Sequence, residues 1–436
     1  MTRTGPRSGP WEQRARAAAA AYVPLLGSLL APALGPLLGM GCTEHRESRV
    51  TGTQSLEVTL VSPTDPGAID RRLPDAQPTV TIDLVARDAQ GEIDTSFTKD
   101  VRVYTQFLGT LTPPLEQVPP TTITMTAGVA TGQRVSLPPK VLGPATLWVD
   151  DGEGSGDEYM HGRVVGASPI LWFRDPYVAD LQTPRDEMGL DALSRTPLQD
   201  KQIAVRSSRY GARGRLVVTS VYAQGYTVSD VQCADAAGRP PCTAQAYDHV
   251  LVFSFSAGRG SDGHLLEVGE VIDGFTGGLT EFNGLTEIGF PVTLSPPYQD
   301  ANSDGVNDAV DPARVPAPAV LQPSWFAGLS DPDGRINFER NESGAIEIRN
   351  GVVCPLDDDY VTYKQWKLDP AGVGGANCAG DNLVNVITTG VVTSVDPAAL
   401  VGQRLPRVVG ILRPVSIGSF NVWIIYPRGA GDLTLP

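Results

Sequence analysis

The chain has 436 residues, 47 of them glycine and 37 proline, and its formal net charge at pH 7 is −15. This content of glycine and proline excludes a fold built on long helices, and the length exceeds that of one ordinary core, so we expect two or three β domains. The acidic surface disfavours partners with a phosphate backbone, because like charges repel at long range.

The N-terminus has the layout of a secretory signal. Basic residues come first, and an alanine- and leucine-rich segment then runs from Ala17 to Met40. Such an order of basic and apolar segments is typical of exported proteins. The apolar segment contains the prolines Pro24, Pro32 and Pro36, and proline breaks the hydrogen-bond ladder that a membrane-spanning helix needs. We therefore predict export rather than a membrane span.

A cysteine follows this segment in the sequence GMGC, residues 39–42. The small residues before Cys42 resemble the lipobox of bacterial lipoproteins, in which the cysteine thiol is acylated and becomes the new first residue. The resemblance implies a signal peptide over residues 1–41 and a lipid anchor on Cys42. With Thr43 rather than aspartate in the next position, it also implies the outer membrane. The polar residues 42–53 predict a flexible tether.

The chain contains five cysteines, an odd number that leaves one thiol to be explained in an exported protein. Acylation of Cys42 would leave four, which fall into two local pairs: Cys233 with Cys242, and Cys354 with Cys378. Disulfides in these pairs would fit an oxidising compartment. Cross-pairing and free thiols in a cytoplasmic protein remain as alternatives, because sequence alone does not fix connectivity.

Residues 54–167 contain short runs in which apolar residues alternate with polar ones, separated by turn signals; SLEVTLVSP, DVRVYTQFLG and GPATLWVDDG are examples. This pattern predicts an antiparallel β-sandwich. The pieces VARDAQGE, TAGVATGQ and ATLWVDDG resemble the bacterial immunoglobulin-like domains of surface proteins, which implies a spacer or adhesive stalk. Residues 168–199 leave this pattern, and we expect them to be a linker whose aromatic residues pack between domains.

Residues 200–294 contain the runs RLVVTSVYAQGYTVSD, YDHVLVFSF and LEVGEVIDGFTGGLTEFNGLTEIGFP. These runs resemble the OB fold, a five-stranded barrel, in the version found beside secreted bacterial nucleases. Gly269, Gly274 and Gly284 suit the bends of a small closed barrel. Residues 345–436 repeat the order of strands and turns, so we predict a second OB-like barrel there. Each barrel would carry one disulfide between its second and third strands, which would indicate a duplication.

Between the two barrels, in a connector of residues 295–344, lies the acidic stretch QDANSDGVNDAVDP, residues 299–312. Its spacing resembles the calcium loops of EF-hand and thrombospondin type 3 proteins. Calcium takes oxygen ligands in flexible geometry, and alternate side chains on a tight loop can supply them, with Gly305 permitting a left-handed turn. The predicted ligands of a structural calcium ion are Asp300, Asn302, Asp304, the backbone carbonyl of Val306, Asp308 and Asp311. The alternative is a solvated acidic loop.

The sequence contains no constellation of residues typical of an enzyme. None of its four histidines has a partner at zinc-ligand spacing, and no G-x-S-x-G motif is present. OB folds bind single-stranded nucleic acids by aromatic stacking and a basic groove. In this chain, Tyr222, Tyr226 and Phe253 are the candidate residues for stacking on a ligand.

The sequence thus predicts an all-β fold, with an immunoglobulin-like sandwich followed by two OB-like barrels. We interpret the chain as a lipoprotein of the cell envelope, attached to the membrane through its lipid anchor, that binds or scaffolds an unidentified envelope protein or glycan and is not an enzyme. The alternative is an accessory nucleic-acid-binding protein that captures extracellular DNA through its OB-like barrels, which the net charge disfavours.

Overall fold

The chain folds into β-sheets with short helices between them, in the part that the computed structural model describes. That part comprises residues 52–74, 79–107, 120–138, 141–152, 164–184, 196, 198–326, 332–380, 382–417 and 420–436. The predicted signal peptide, Cys42 and most of the predicted tether lie outside it. No helix within these ranges is both long and apolar enough to cross a membrane. The prediction of an all-β fold is confirmed.

The first module consists of two antiparallel sheets. Its strands are β1 (Ser55–Ser62), β2 (Thr79–Arg87), β3 (Asp100–Phe107), β4 (Thr121–Thr124), β5 (Val129–Ser136), β6 (Pro144–Asp150), β7 (Val165–Ala167) and β8 (Leu171–Trp172). One sheet has the order β1-β2-β5, and the other has the order β4-β3-β6-β7 with β8 paired to β6. Every second side chain of β2 is buried, and these side chains share one hydrophobic core with those of the other sheet. The alternation of apolar residues therefore explains the two-layer packing.

The next sheet closes into a five-stranded barrel, which we call the first barrel. The helix α1 (Val178–Gln182) precedes it, and its strands are β9 (Gln202–Val205), β10 (Gly214–Tyr222), β11 (Gly225–Cys233), β12 (Cys242–Thr243), β13 (His249–Phe253), β14 (Val271–Ile272), β15 (Gly274–Phe282) and β16 (Leu285–Leu294). The order is β14-β10-β11-β13-β16-β15-β9, with β12 paired to β11, and β13 is parallel to β16. Because β14 continues into β15 after Asp273, its pairing with β10 closes the ring.

Gly274 lies where β9 approaches β15. A Cβ atom at this position would be 2.1 Å from the carbonyl oxygen of Val205, and the φ angle of Gly274 is +155°. A larger residue would therefore push β9 away from the barrel.

The second barrel follows the same plan. Its elements are β17 (Ala319–Val320), α2 (Pro332–Glu339), β18 (Ala345–Val353), α3 (Asp358–Tyr363), β19 (Gln365–Asp369), β20 (Val384–Ile387), α4 (Pro397–Leu400), β21 (Arg404–Ile417), β22 (Phe420–Tyr426) and β23 (Leu433–Thr434). The order is β17-β18-β19-β20-β22-β21-β23, and a further pairing of β18 with β21 closes five strands. β20 and β22 are parallel. In both barrels the third and fifth strands are thus neighbours and parallel.

The segment predicted as a linker, residues 168–199, contains packed structure. β8 extends a sheet of the first module, and the side chains of Leu171, Phe173 and Leu181 are buried. They belong to a core cluster that spans the first module and the first barrel. The described part of this segment therefore joins the two modules through apolar contacts, because its aliphatic and aromatic side chains are large enough to fill the space between them.

Two cysteine pairs are bonded within the described residues. The S–S distance is 2.11 Å for Cys233–Cys242 and 1.96 Å for Cys354–Cys378, which confirms the predicted local pairing. Cys233 ends β11 and Cys242 begins β12, so this bridge lies between the second and third strands of its barrel, as expected. The same expectation is wrong for the second barrel. There Cys354 directly follows β18, the first strand, and Cys378 lies between β19 and β20.

We expect removal of the two bridges to have unequal costs. The bridges close loops with sequence separations of 9 and 24 residues. Each should stabilise the fold by about 2–4 kcal/mol, and the longer loop by about 0.9 kcal/mol more, because it restricts the unfolded chain further. Urea unfolding of Cys233→Ala/Cys242→Ala and of Cys354→Ala/Cys378→Ala measures both losses. A larger loss for the shorter loop would contradict this expectation.

Candidate functional site

The acidic stretch of residues 299–312 leaves the first barrel after β16 and returns to it at β14. The backbone N–H of Val271 donates to the carbonyl oxygen of Ala309 at 3.3 Å, and the N–H of Asp311 donates to that of Gly269 at 3.1 Å. These bonds fix the end of the loop against the barrel, while residues 301–306 remain exposed.

The predicted calcium ligands form a compact turn. The carboxylate of Asp300 accepts the N–H groups of Asp304 and Gly305 at 3.0 and 2.9 Å, and Asn302 Oδ1 also accepts the N–H of Asp304 at 3.0 Å. Asp304 Oδ1 accepts the N–H of Val306 at 2.9 Å. Gly305 has a φ angle of +83°, so the left-handed turn expected in the middle of the loop is present. The side chains at alternate positions are thus drawn towards one turn.

The two remaining predicted ligands are placed differently from each other. Asp308 Oδ2 accepts the N–H of Ala301 at 3.1 Å and so reaches back across the loop. Asp311 instead caps the following turn, where its Oδ1 accepts the N–H of Ala313 at 3.0 Å, and its Oδ2 lies 3.6 Å from Arg314 Nε. Asp311 would therefore have to share its carboxylate between these contacts and an ion.

No group of three or more His, Cys, Asp or Glu side chains in the described part of the chain is arranged to hold a metal ion. The carboxylates of the loop would therefore have to turn inwards around calcium. Carboxylate and carbonyl oxygens suit this ion, which accepts flexible geometry, so the chemistry of the donors fits.

His264 fastens the base of the loop. Its Nε2 lies 2.8 Å from Oε1 of the fully buried Glu270, and its Nδ1 contacts the carboxylate of Asp262. Burial alone would lower the pKa of His264, but hydrogen bonds to these two carboxylates outweigh it and raise the pKa. The other oxygen of Asp262 accepts the N–H of Tyr298 at 2.8 Å, directly before the loop. His264, bonded to two carboxylates, thus connects the loop to the barrel.

The three predicted stacking residues have different surroundings. Tyr226 is 1% exposed and its hydroxyl contacts Thr293 Oγ1 at 2.6 Å, so its ring belongs to the barrel core and is closed to a ligand. Tyr222 is half-buried beneath the guanidinium of Arg413, which lies 4.1 Å from the centre of its ring. Only Phe253 contributes to an open aromatic surface. Side chains of a strand alternate between the two faces of the sheet, and the sequence does not show which face is the core. The ring of Tyr226 therefore points inwards although it was predicted to stack on a ligand.

Phe253 belongs to an aromatic cluster that we define as Phe253, Phe255 and Phe290. The ring centres are 5.6 Å apart for Phe253 and Phe255, and 5.7 Å apart for Phe255 and Phe290. Phe255 is 75% exposed and Phe290 is 81% exposed. Exposed aromatic rings that lie together are uncommon on a surface that only faces water, and they mark contact sites.

A β-bulge directs Phe290 outwards. In the pairing of β15 with β16, Thr276 lies opposite Val292 whereas Gly278 lies opposite Gly289, so β16 holds one extra residue. Phe290 lies in this bulge and adopts a φ angle of +50°, a left-handed conformation that is unfavourable for a bulky side chain. The sequence could have indicated Phe255 as a member of the cluster, because residues two positions apart on an extended chain face the same side and Phe255 follows Phe253 by two. It gives no sign of the bulge at Phe290.

Three arginines around the start of β10, Arg209, Arg213 and Arg215, bond to other groups of the first barrel. Arg209 lies 3.2 Å from the buried carboxylate of Asp248, Arg213 donates to the carbonyl oxygen of Cys233 at 3.3 Å, and Arg215 donates to that of Gly214 at 2.6 Å. These guanidinium groups brace the first barrel, although Arg209 and Arg213 are exposed.

Comparison of the chain with protein-family models, with curated proteins and with solved structures finds no match.

Proposed function

We propose that this chain is an exported, lipid-anchored protein of the cell envelope, which binds or scaffolds an envelope protein or glycan without catalysing a reaction. The sequence around Cys42 supports the anchor. The two disulfides support an oxidising compartment, because thiols remain reduced in the cytosol. The observation that carries the binding role is the exposed aromatic cluster. Aromatic side chains of this kind are enriched in protein interfaces, where a partner buries them.

In this proposal the first module is an immunoglobulin-like spacer, and the barrels are OB-like. The division of strands into β1-β2-β5 and β4-β3-β6-β7 supports the first assignment, since immunoglobulin sandwiches separate their strands in the same way. Closure of five strands in each barrel, with the third and fifth parallel, supports the second. Neither architecture requires a catalytic site.

Capture of nucleic acid is the weaker alternative. The aromatic cluster would suit base stacking, but the arginines that would neutralise the phosphates are engaged within the first barrel. The net charge of −15 adds long-range repulsion.

The calcium assignment is part of the same proposal. A bound ion would draw together the carboxylates of Asp300, Asp304 and Asp308, whose mutual repulsion otherwise opposes the compact turn. It would thereby stabilise the connection between the two barrels. Asp311 and the carbonyl group of Val306 would complete the ligand set.

The lipid anchor predicts a defined mature N-terminus. The intact mass of the membrane fraction should correspond to a chain that begins at Cys42 and carries diacylglycerol, and Cys42→Ala should move the protein to the soluble fraction. Residues 1–41 on a protein whose cysteine thiols all react with an alkylating reagent would refute the anchor.

The aromatic cluster should be needed for binding but not for folding. In the Cys42→Ala background, we expect Phe255→Ser/Phe290→Gly to abolish retention on isolated cell envelopes. Its melting temperature should be unchanged or higher, because glycine removes a left-handed strain of about 1–2 kcal/mol. Phe282→Ser is the matched control, since Phe282 is 59% exposed but lies outside the cluster. Equal retention of both variants would contradict the binding role of the cluster.

Calcium should raise the melting temperature of the wild-type chain. At about 5 mM calcium and a Kd of about 0.5 mM, the stabilisation would be about 1.4 kcal/mol. Asp300→Asn/Asp304→Asn should remove the shift and the heat of binding in calorimetry. Asp70→Asn/Asp358→Asn makes the same change in charge at two exposed positions and should preserve both. Absence of any calcium effect on the wild type would remove the assignment.

A further inference from the structure

A cavity of about 270 Å³ lies between the first barrel and the segment that leads into the second. Its size corresponds to about nine water molecules at about 30 Å³ each, which is room for one small organic ligand. The first barrel contributes β10, β11 and β13 to the lining, and the other side is formed by residues 315–317 with Ala319, the end of α2 and the start of β18. Junctions between modules are common sites for such ligands.

A buried imidazole forms part of the lining. His249 is 8% exposed, and its Nδ1 lies 2.6 Å from Oγ of Ser229, which is 1% exposed. Because Nδ1 is engaged in this way, Nε2 is the ring nitrogen that remains for a ligand. A Cβ atom on Gly344 would lie 2.5 Å from Cδ2 and 2.7 Å from Nε2 of this ring. That edge of the ring therefore reaches towards the opposite wall, where Ala345 also lines the cavity.

The imidazole adds no charge to the cavity. Burial lowers the pKa of His249 to about 4, and the charge of Asp248 offsets this only in part, so the ring is neutral at neutral pH. A neutral imidazole has one N–H group and one acceptor nitrogen, and a hydroxyl group can both donate and accept. His249 and Ser229 together can therefore bind a hydroxyl group of a ligand as donor or as acceptor.

The other polar groups of the lining are neutral, with one exception. They are the hydroxyl of Thr219 and the carboxamides of Gln245, Asn337 and Asn341. Nδ2 of Asn341 donates to the carbonyl oxygen of Asn337 at 2.7 Å, which leaves Oδ1 and a second N–H group of Asn341 for further bonds. The exception is Arg340, which already interacts with another group of the chain, so we assign it no ligand. No acidic residue is among the described residues of the lining.

These properties select a neutral ligand that carries several hydroxyl groups. A charged ligand would lose its hydration without gaining a new partner of opposite charge, and an apolar ligand would leave Nε2 of His249 without a hydrogen bond. Apolar side chains of the lining offer a surface to the C–H groups of a sugar ring; they are Ala244, Pro316 and Ala317.

We propose that the cavity binds a neutral polyhydroxylated molecule of the monosaccharide class, with His249 and Ser229 hydrogen-bonded to its hydroxyl groups. The proposal rests on the binding role proposed above and specifies a glycan unit for it. It requires neither the lipid anchor nor calcium.

Calorimetric titration of the full chain in detergent with glucose and galactose tests the proposal. At least one of the two should bind with a Kd below about 5 mM. The matching uronate, glucuronate or galacturonate, has the same ring with a carboxylate. It should bind at least about tenfold more weakly, because its charge would be buried without a new partner. A Kd above about 5 mM for both hexoses, or equal affinity for the matching uronate, would overturn the proposal.

Variants locate the site. Ser229→Ala should weaken hexose binding at least about tenfold, because it removes a hydroxyl of the lining and the hydrogen-bond partner of His249. Ser220→Ala is the matched control. Ser220 is also 1% exposed and belongs to the same barrel, but it lies outside the lining, so the affinity should be unchanged.

Ala317→Trp provides a second test if Ser229→Ala fails to fold. Ala317 is the exposed member of the lining on the connecting segment, so an indole ring there should block hexose binding. Ala399→Trp on α4, which is exposed and outside the lining, should preserve it. Wild-type affinity in a folded Ser229→Ala or Ala317→Trp variant would overturn the proposal. The titration uses neither cell envelopes nor the aromatic cluster, so its failure and failure of the envelope-retention test are separate outcomes.

Discussion

The joint between the two barrels depends on a carboxyl group that is buried there. Glu342 lies between α2 and β18, is 2% exposed, and accepts the N–H of Thr286 in the first barrel at 2.9 Å. Burial, followed by the charge of Glu281, raises the pKa of Glu342 well above its usual range. The protonated form therefore fits the joint, because a buried carboxylate would be costly. With a raised folded-state pKa, this stabilising contribution is complete at low pH and is lost as the pH rises through that pKa.

Other polar contacts lie close to Glu342 at this joint. The N–H of Ser343 donates to the carbonyl oxygen of Leu412 in the second barrel at 2.8 Å, while Arg413 of that barrel stacks on Tyr222 of the first. A Cβ atom on Gly344 would lie 2.5 Å from Cδ2 of His249, so the backbone comes close to the first barrel at this point. These hydrogen bonds and the stacking thus hold the two barrels together.

The sequence predicts those features that depend on local pattern. Alternation of apolar residues predicts the strands, as in SLEVTLVSP, which contains β1, and cysteine spacing predicts both disulfides. Features that depend on distant residues escape prediction. The cavity joins Ser229 and His249 to Arg340, about a hundred residues later, through barrel closure and the connecting helix. The bulge at Phe290 and the inward ring of Tyr226 depend on register, which changes the facing of a side chain with a shift of one residue.

Stability of the fold does not explain the aromatic cluster. Burial of a phenylalanine contributes about 1.5–3 kcal/mol, and the left-handed conformation costs about 1–2 kcal/mol. Phe290 is 81% exposed and has a φ angle of +50°. It therefore gains little free energy from burial but still bears the cost of the left-handed conformation. Glycine would suit this bulge better if the chain only had to fold. Burial against the partner proposed above would recover the apolar contribution.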